Sequence, residues 1–366
     1  MRFILLFAAV FLALNSSSAI VQRYLYLGIP DGAQKLDPVD PGVYVFDIDN
    51  NHEFVKFIPV PAFGKGLRGF APSLANHAGY YTDTHGLIGC LDLETEKIVW
   101  ERTHEYGWDR ACITRDGSTI YAPYGWLYLP ANGGFAVIDA KNGDILKNHI
   151  TGRAPHNSLI TQDGQYMLIG GYSWLNMYRA DDLTEIWKFT AVGEVGVFHF
   201  TVDSANKYAY VCHRQHLGFD ILDLESGTKI HSIDYGDPPI ERRTHGVALT
   251  PNETEVWISD QAGNQLIVYD NTKMPPAFEQ EIKLTRGGHG WVTFSIDGRY
   301  AWAHTPDVID RKTRKIVATL KSKEGVPIAT SKFFEAHFED GKLIRVADQF
   351  GIGMKTVAPP SLVNHR

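Results

Sequence analysis

The chain has little of what usually announces a function. It has 3 cysteines in 366 residues. Cys90, Cys112 and Cys212 are too few for a disulfide scaffold and fit no zinc spacing; export would permit one bridge with one free thiol, and otherwise all three read as small buried residues on strands. Past its first residues it has no apolar run of about eighteen, so no spanning helix and no membrane insertion are expected. It has no basic run longer than Arg242-Arg243 and a formal net charge of −7. That gives it no electrostatic means to hold nucleic acid or an anionic membrane. It has no GxSxG elbow and no phosphate-binding loop. It also has no 3.6-residue apolar period sustained over ten residues, which excludes a helical solenoid.

What is present begins at the N-terminus. Met1-Arg2 is a short basic segment, residues 3–14 (FILLFAAVFLAL) are apolar, and Ser17 and Ala19 fit the −3 and −1 positions of a cleavage site. This reads as a signal peptide over residues 1–19 and a secreted protein, extracellular or periplasmic. With 44% hydrophobic and 12% aromatic residues, the remaining 20–366 should fold, and they are expected to form one domain and a monomer.

A repeat organises that domain. An alternating strand reaches an acidic residue, turns, and starts a second strand, as in VYVFDIDNNHEFVKFI, LIGCLDLETEKIVWE, FAVIDAKNGDILKNHI and FDILDLESGTKIHSI. Aligned copies place Asp47, Asp92, Asp139, Arg179, Asp223, Asp270 and Asp310 at one position, 40 to 47 residues apart. Between them lies a second hairpin with turns such as TRDG, TQDG and SIDG. Four strands per period and seven periods predict an all-β, seven-bladed β-propeller with four antiparallel strands per blade. The leftover terminal strands should close it by completing the blade that holds Val43, so that loss of residues 342–350 would open the ring. A sandwich pair would show no such period. The phrase strand, [ST]xDG, strand, xVIDxxTxKxV, strand resembles the YncE-like, YVTN-type propeller family over residues 40–320. That likeness implies architecture more than activity.

In a propeller the first strand of each blade lines the central channel, and its first residues stand at one mouth. Read in order, those starts offer Arg68, Arg110, His156, His199, His245 and His289. The neighbouring loops between second and third strands add His85, Tyr124 with Trp126, Tyr172 with Trp174, His213 and His216. Imidazoles from separate blades can hold a divalent metal ion, so His156, His199, His245 and His289 are the expected ligands. Guanidinium forks suit a carboxylate, so Arg68 and Arg110 are expected to bind an acidic substrate. Together they would acidify the carbon beside that carboxylate, and His85 or Tyr124 would be the base. The site composition is similar to that of propeller-type oligogalacturonate and ulvan lyases, which implies β-elimination on a uronate-containing saccharide. The other reading is a non-catalytic propeller that binds a ligand, a wall polymer or a protein.

Overall fold

The computed structural model describes residues 21–29, 37–126, 133–191, 196–288 and 290–347; residues 1–19 and His289 lie outside these. Seven antiparallel sheets follow one another as the blades of a propeller. Six have four strands in chain order, spanning 67–103, 112–152, 157–190, 196–234, 246–283 and 292–319. The helical element among the described residues is a short 3-10 turn, Pro61–Lys65. No helix among them is long and apolar enough to cross a membrane.

Burial follows the position of each strand in its blade. Third strands such as Leu87–Asp92 and Gly218–Asp223 are buried nearly throughout, because a neighbouring blade covers each face. Outer strands such as Ile98–Thr103 and Lys229–Asp234 are mostly exposed. The third-to-outer pairing carries a register shift in each blade, for example between Cys90 and Leu91 and between Ile221 and Leu222. Such bulges sharpen the strand twist that a radial stack of sheets requires. The three cysteines lie buried on strands and no disulfide joins them.

The repeat's acidic residue has a local role. Asp47 Oδ1 accepts from the Asp49 and Asn50 amides, Asp92 Oδ1 from Glu94 and Thr95, and Asp310 Oδ1 from Thr313. Each closes the outer hairpin as an Asx turn. Where the repeat has Arg179, Asp182 takes over and accepts from the Thr184 amide. In the xDG turns the aspartate does the same, as Asp116 does for Ser118, and the glycine takes the left-handed backbone, φ 73° at Gly117.

The seventh sheet joins the chain ends. Its order is Lys342–Val346, Phe333–Glu339, Val21–Ile29, Gly42–Asp47, Glu53–Pro59. It has five strands, not four. Phe333–Glu339 fills the channel-lining position and pairs with Val21–Ile29 from Val21↔Glu339 to Leu27↔Phe333. Lys342–Val346 is an extra strand along Ala336–Glu339, tied to the next blade where Glu94 accepts from Leu343 N and Lys342 Nζ, each at 2.9 Å. The expected closure by terminal strands is present. The closing strand, however, is Phe333–Glu339, not the segment beginning at Lys342, because it is Phe333–Glu339 that pairs with residues 21–27, whereas Lys342–Val346 pairs only with residues 336–339.

Candidate functional site at the channel mouth

The inner strands begin where the repeat places them. Arg110 stands just before Cys112–Ile113, His156 before Asn157–Ile160, and His245 before Gly246–Leu249. His199 lies within Gly196–Val202. Backbone bonds lock adjacent starts together, with Arg110 N donating to His156 O at 3.2 Å and Ser158 N to Arg110 O at 3.1 Å. The closing blade supplies a start of its own, Ser331-Lys332, directly before Phe333–Glu339.

These starts meet in one buried cluster. Arg110 and Lys332 are each 2% exposed. Arg110 Nη2 donates to Ser331 Oγ at 2.9 Å, and Lys332 Nζ donates to the same oxygen at 2.6 Å. The Arg110 guanidinium lies 3.8 Å from the centre of the Trp291 ring, a cation–π contact that fixes its plane. Asp109 Oδ1 accepts from the Arg110 amide at 2.9 Å and lies 3.4 Å from His156 Nδ1. Arg110 Nη1 and Asp109 Oδ2 are buried with no hydrogen-bond partner among the described residues. Two buried cations, with half-buried Arg68 beside them, thus face one buried carboxylate among the described residues.

The proton affinities reflect that excess of positive charge. Burial pushes Arg110 down to about 9, opposed by Asp109 and reinforced by Arg68. Burial, then Arg110 and Arg68, hold the Lys332 ammonium well below its ordinary range. Burial lowers His156, with Asp109 resisting and Arg110 and Arg68 assisting. Burial and Arg243 hold His245 well below. Both imidazoles are therefore neutral near pH 7. The His156, His199 and His245 rings follow one another with centroids 4.9 and 4.5 Å apart, the first pair edge-on and the second tilted; Trp126 lies edge-on to His156 at 4.5 Å and Trp291 edge-on to His199 at 5.2 Å.

The rim adds cations. Arg153 and Arg214 lie 4.0 and 3.5 Å from the Tyr172 ring centre. Arg242 pairs with buried Asp260 at 2.8 Å, and Arg243 bonds Gln261 at 3.2 Å. The chain's net charge of −7 conceals a basic mouth.

The expected site residues divide. Arg68, Arg110, His156, His199 and His245 come together; His289 lies outside the described residues. Neither expected base joins them. His85 is exposed, its Nδ1 donating to Lys65 O at 2.6 Å. Tyr124 is core, stacked on Tyr106 at 4.9 Å, with its hydroxyl raised by burial. Its aromatic neighbours Tyr106 and Trp108 precede the inner-strand start and turn the ring into the interface between blades. Among the described residues, His213, His216 and Asp234 bring three ligating atoms within 4.8 Å of one another; the expected metal set includes His289, which lies outside the described residues. Lys332, Ser331 and Trp291 went unread. The inner-strand rule finds Lys332 once it is applied to the closing blade.

Two further buried histidines each accept a hydrogen bond from a tryptophan, one at the cluster and one in the turn of the closing blade. The Trp291 amide donates to His304 Nδ1 at 3.0 Å, and Trp302 Nε1 donates to His52 Nε2 at 3.0 Å. Burial pushes both imidazoles down to about 4. A lowered folded-state value means that the unfolded chain binds more protons. This stability is therefore complete above about pH 6.5 and lost as pH falls toward 4, by on the order of 3 kcal/mol per histidine. Thermal melts should fall steeply from pH 6.5 to 5, above most carboxylate titration. His52→Asn, which suits the φ of 58° there, should flatten the curve; an unchanged slope would refute the assignment.

No protein-family model matches the chain, and no curated protein matches its sequence. Among solved structures it is similar to the β-propeller domain of Cps50 (Swd1) from Myceliophteria thermophila, with a TM-score of 0.58 and 11% identity over 75% of this chain and 89% of that one. At that identity the likeness shows the propeller fold alone. The YncE-like resemblance rests on the repeat phrase and gains no family match.

Proposed function

We propose that the channel mouth binds the carboxylate of an acidic, sugar-like ligand outside the cytoplasm, with the protein acting as a monomer. One observation carries this reading: Arg110 and Lys332, both buried, share one hydroxyl as acceptor, and Arg110 Nη1 has none among the described residues. Buried cations that outnumber their counter-charge are costly, and an anion that supplies the missing charge and acceptor lowers that cost. Arg110 offers the planar fork that pairs with a carboxylate, Lys332 a point charge, and Arg68 a third cation toward the solvent. The rim arginines add a long-range field that draws anions in.

A β-eliminating lyase is the second reading, favoured by the neutral imidazoles of His156 and His245. Each is unprotonated near pH 7 and so free to accept a proton, in the place first given to His85 and Tyr124.

Calorimetric titration with uronate mono- and oligosaccharides, alongside their neutral counterparts, tests the binding. The acidic series should bind one to one and raise the melting temperature; equal affinity for the neutral series would refute it. Absorbance growing at about 235 nm, where unsaturated uronates absorb, would identify the lyase. Binding without that signal leaves the non-catalytic receptor.

A further inference from the structure

Beside the mouth, the blade spanning 196–234 carries a second cluster with a different chemistry. His213 ends Tyr208–His213, His216 follows in the loop, and Asp234 ends Lys229–Asp234. The two Nδ1 atoms are 3.2 Å apart, and Asp234 Oδ1 lies 3.4 Å from His213 Nδ1 and 2.6 Å from His216 Nδ1. Donor atoms around a tetrahedral ion bonded at about 2.0–2.1 Å are about 3.3 Å apart, so two of these separations already fit. The third is a hydrogen bond that must lengthen, and Asp234 is free to adjust because its side chain is 38% exposed.

The surroundings orient His213 as a ligand. Its Nε2 lies 2.9 Å from Asp220 Oδ1, and Asp220 is 5% exposed. A carboxylate only accepts, so Nε2 carries the proton and Nδ1 presents its lone pair to His216 and Asp234. Asp220 is held in turn by Ser232 Oγ at 2.7 Å and Lys229 Nζ at 3.5 Å. This carboxylate–histidine arrangement is the usual outer support of a metal-bound imidazole. Gly218 keeps the space clear: a Cβ there would lie 2.9 Å from His213 Nδ1 and 2.1 Å from Ile233 O. The His213 carbonyl accepts from Thr244 N at 3.0 Å, so the cluster adjoins His245 at the mouth.

We propose that His213 Nδ1, His216 Nδ1 and Asp234 Oδ1 form a site for a first-row transition ion of the zinc class, with solvent in the fourth position. Two imidazoles and one carboxylate are the donor set that such ions prefer over calcium or magnesium. The ion replaces the proton shared between His216 and Asp234, and that proton passes to the buffer. The site is independent of the central anion site and stands or falls without it.

The test titrates zinc chloride into the chelator-stripped full chain by calorimetry and follows cobalt(II) binding by visible absorption. One ion per chain is expected, with tetrahedral cobalt bands. His216→Gln and Asp234→Asn, both at partly exposed positions that should leave folding intact, should weaken zinc on the order of 100-fold, and Asp220→Asn by about tenfold or more through the orientation of His213. No zinc uptake by the wild-type chain overturns the proposal. So does uptake that survives both His216→Gln and Asp234→Asn, since the ion then lies elsewhere.

Discussion

Arg110→Met should abolish binding of an acidic ligand while leaving the ligand-free protein as stable as the wild type, or more so. The guanidinium sits against Trp291 with one donor unmatched, and burial already pulls its proton affinity down to about 9. Met fills similar volume without a charge to desolvate, and such replacements of buried ions are often neutral or stabilising. Asp109 keeps its bond from the backbone amide of residue 110, which the substitution does not remove. For the ligand, loss of a buried charge-assisted contact typically costs about 2–5 kcal/mol, or roughly 30- to 4,000-fold in affinity. Lys332→Met should weaken binding in the same direction. Both effects appear in one experiment, a thermal melt with and without ligand, since ligand at 100 times its dissociation constant adds about 2.7 kcal/mol to the wild type. An Arg110→Met protein that still gains that increment would sink the assignment. One that fails to fold would show that Arg110 serves structure.

Removing residues 333–346 should have the larger structural effect. Phe333, Phe334 and Phe338 are at most 5% exposed, and full burial of each contributes about 1.5–3 kcal/mol. Together with Ala336, Leu343 and Val346 this approaches the whole stability of a typical domain, about 5–15 kcal/mol. The deletion also strips the partner from Val21–Ile29 and leaves a long unpaired edge, a template for aggregation. Size-exclusion chromatography should show aggregates and circular dichroism no cooperative melt. Truncation just before Lys342 should be far milder. It removes Leu343 and Val346 and the ties to Glu94, but leaves Phe333–Glu339 paired. A monomer with a lowered melting temperature is expected. If the two truncations behaved alike, the ring would not depend on Phe333–Glu339.

By itself the sequence determined the architecture, because a propeller is written in local terms. Each blade needs its own alternation, its own aspartate to close the outer hairpin and its own glycine in the xDG turn, and these recur at a near-constant period. That periodicity also located the mouth, since equivalent positions in a repeat occupy equivalent places in the ring; hence Arg68, Arg110, His156, His199 and His245 converge. Only the tertiary structure decided which side chains turn inward. Tyr124 carries the same signal as a pocket aromatic, yet Tyr106 and Trp108 draw it into the core. Lys332 belongs to the same ring of inner-strand starts, but its blade is built from both ends of the chain, so the repeat does not display it. His213, His216 and Asp234 come from a strand end, a loop and an outer strand, and strand pairing, not spacing, brings their donor atoms together. Charge is the clearest case. The total of −7 is a sum over the whole surface, whereas the buried excess of cations at the mouth depends on which few residues the ring encloses.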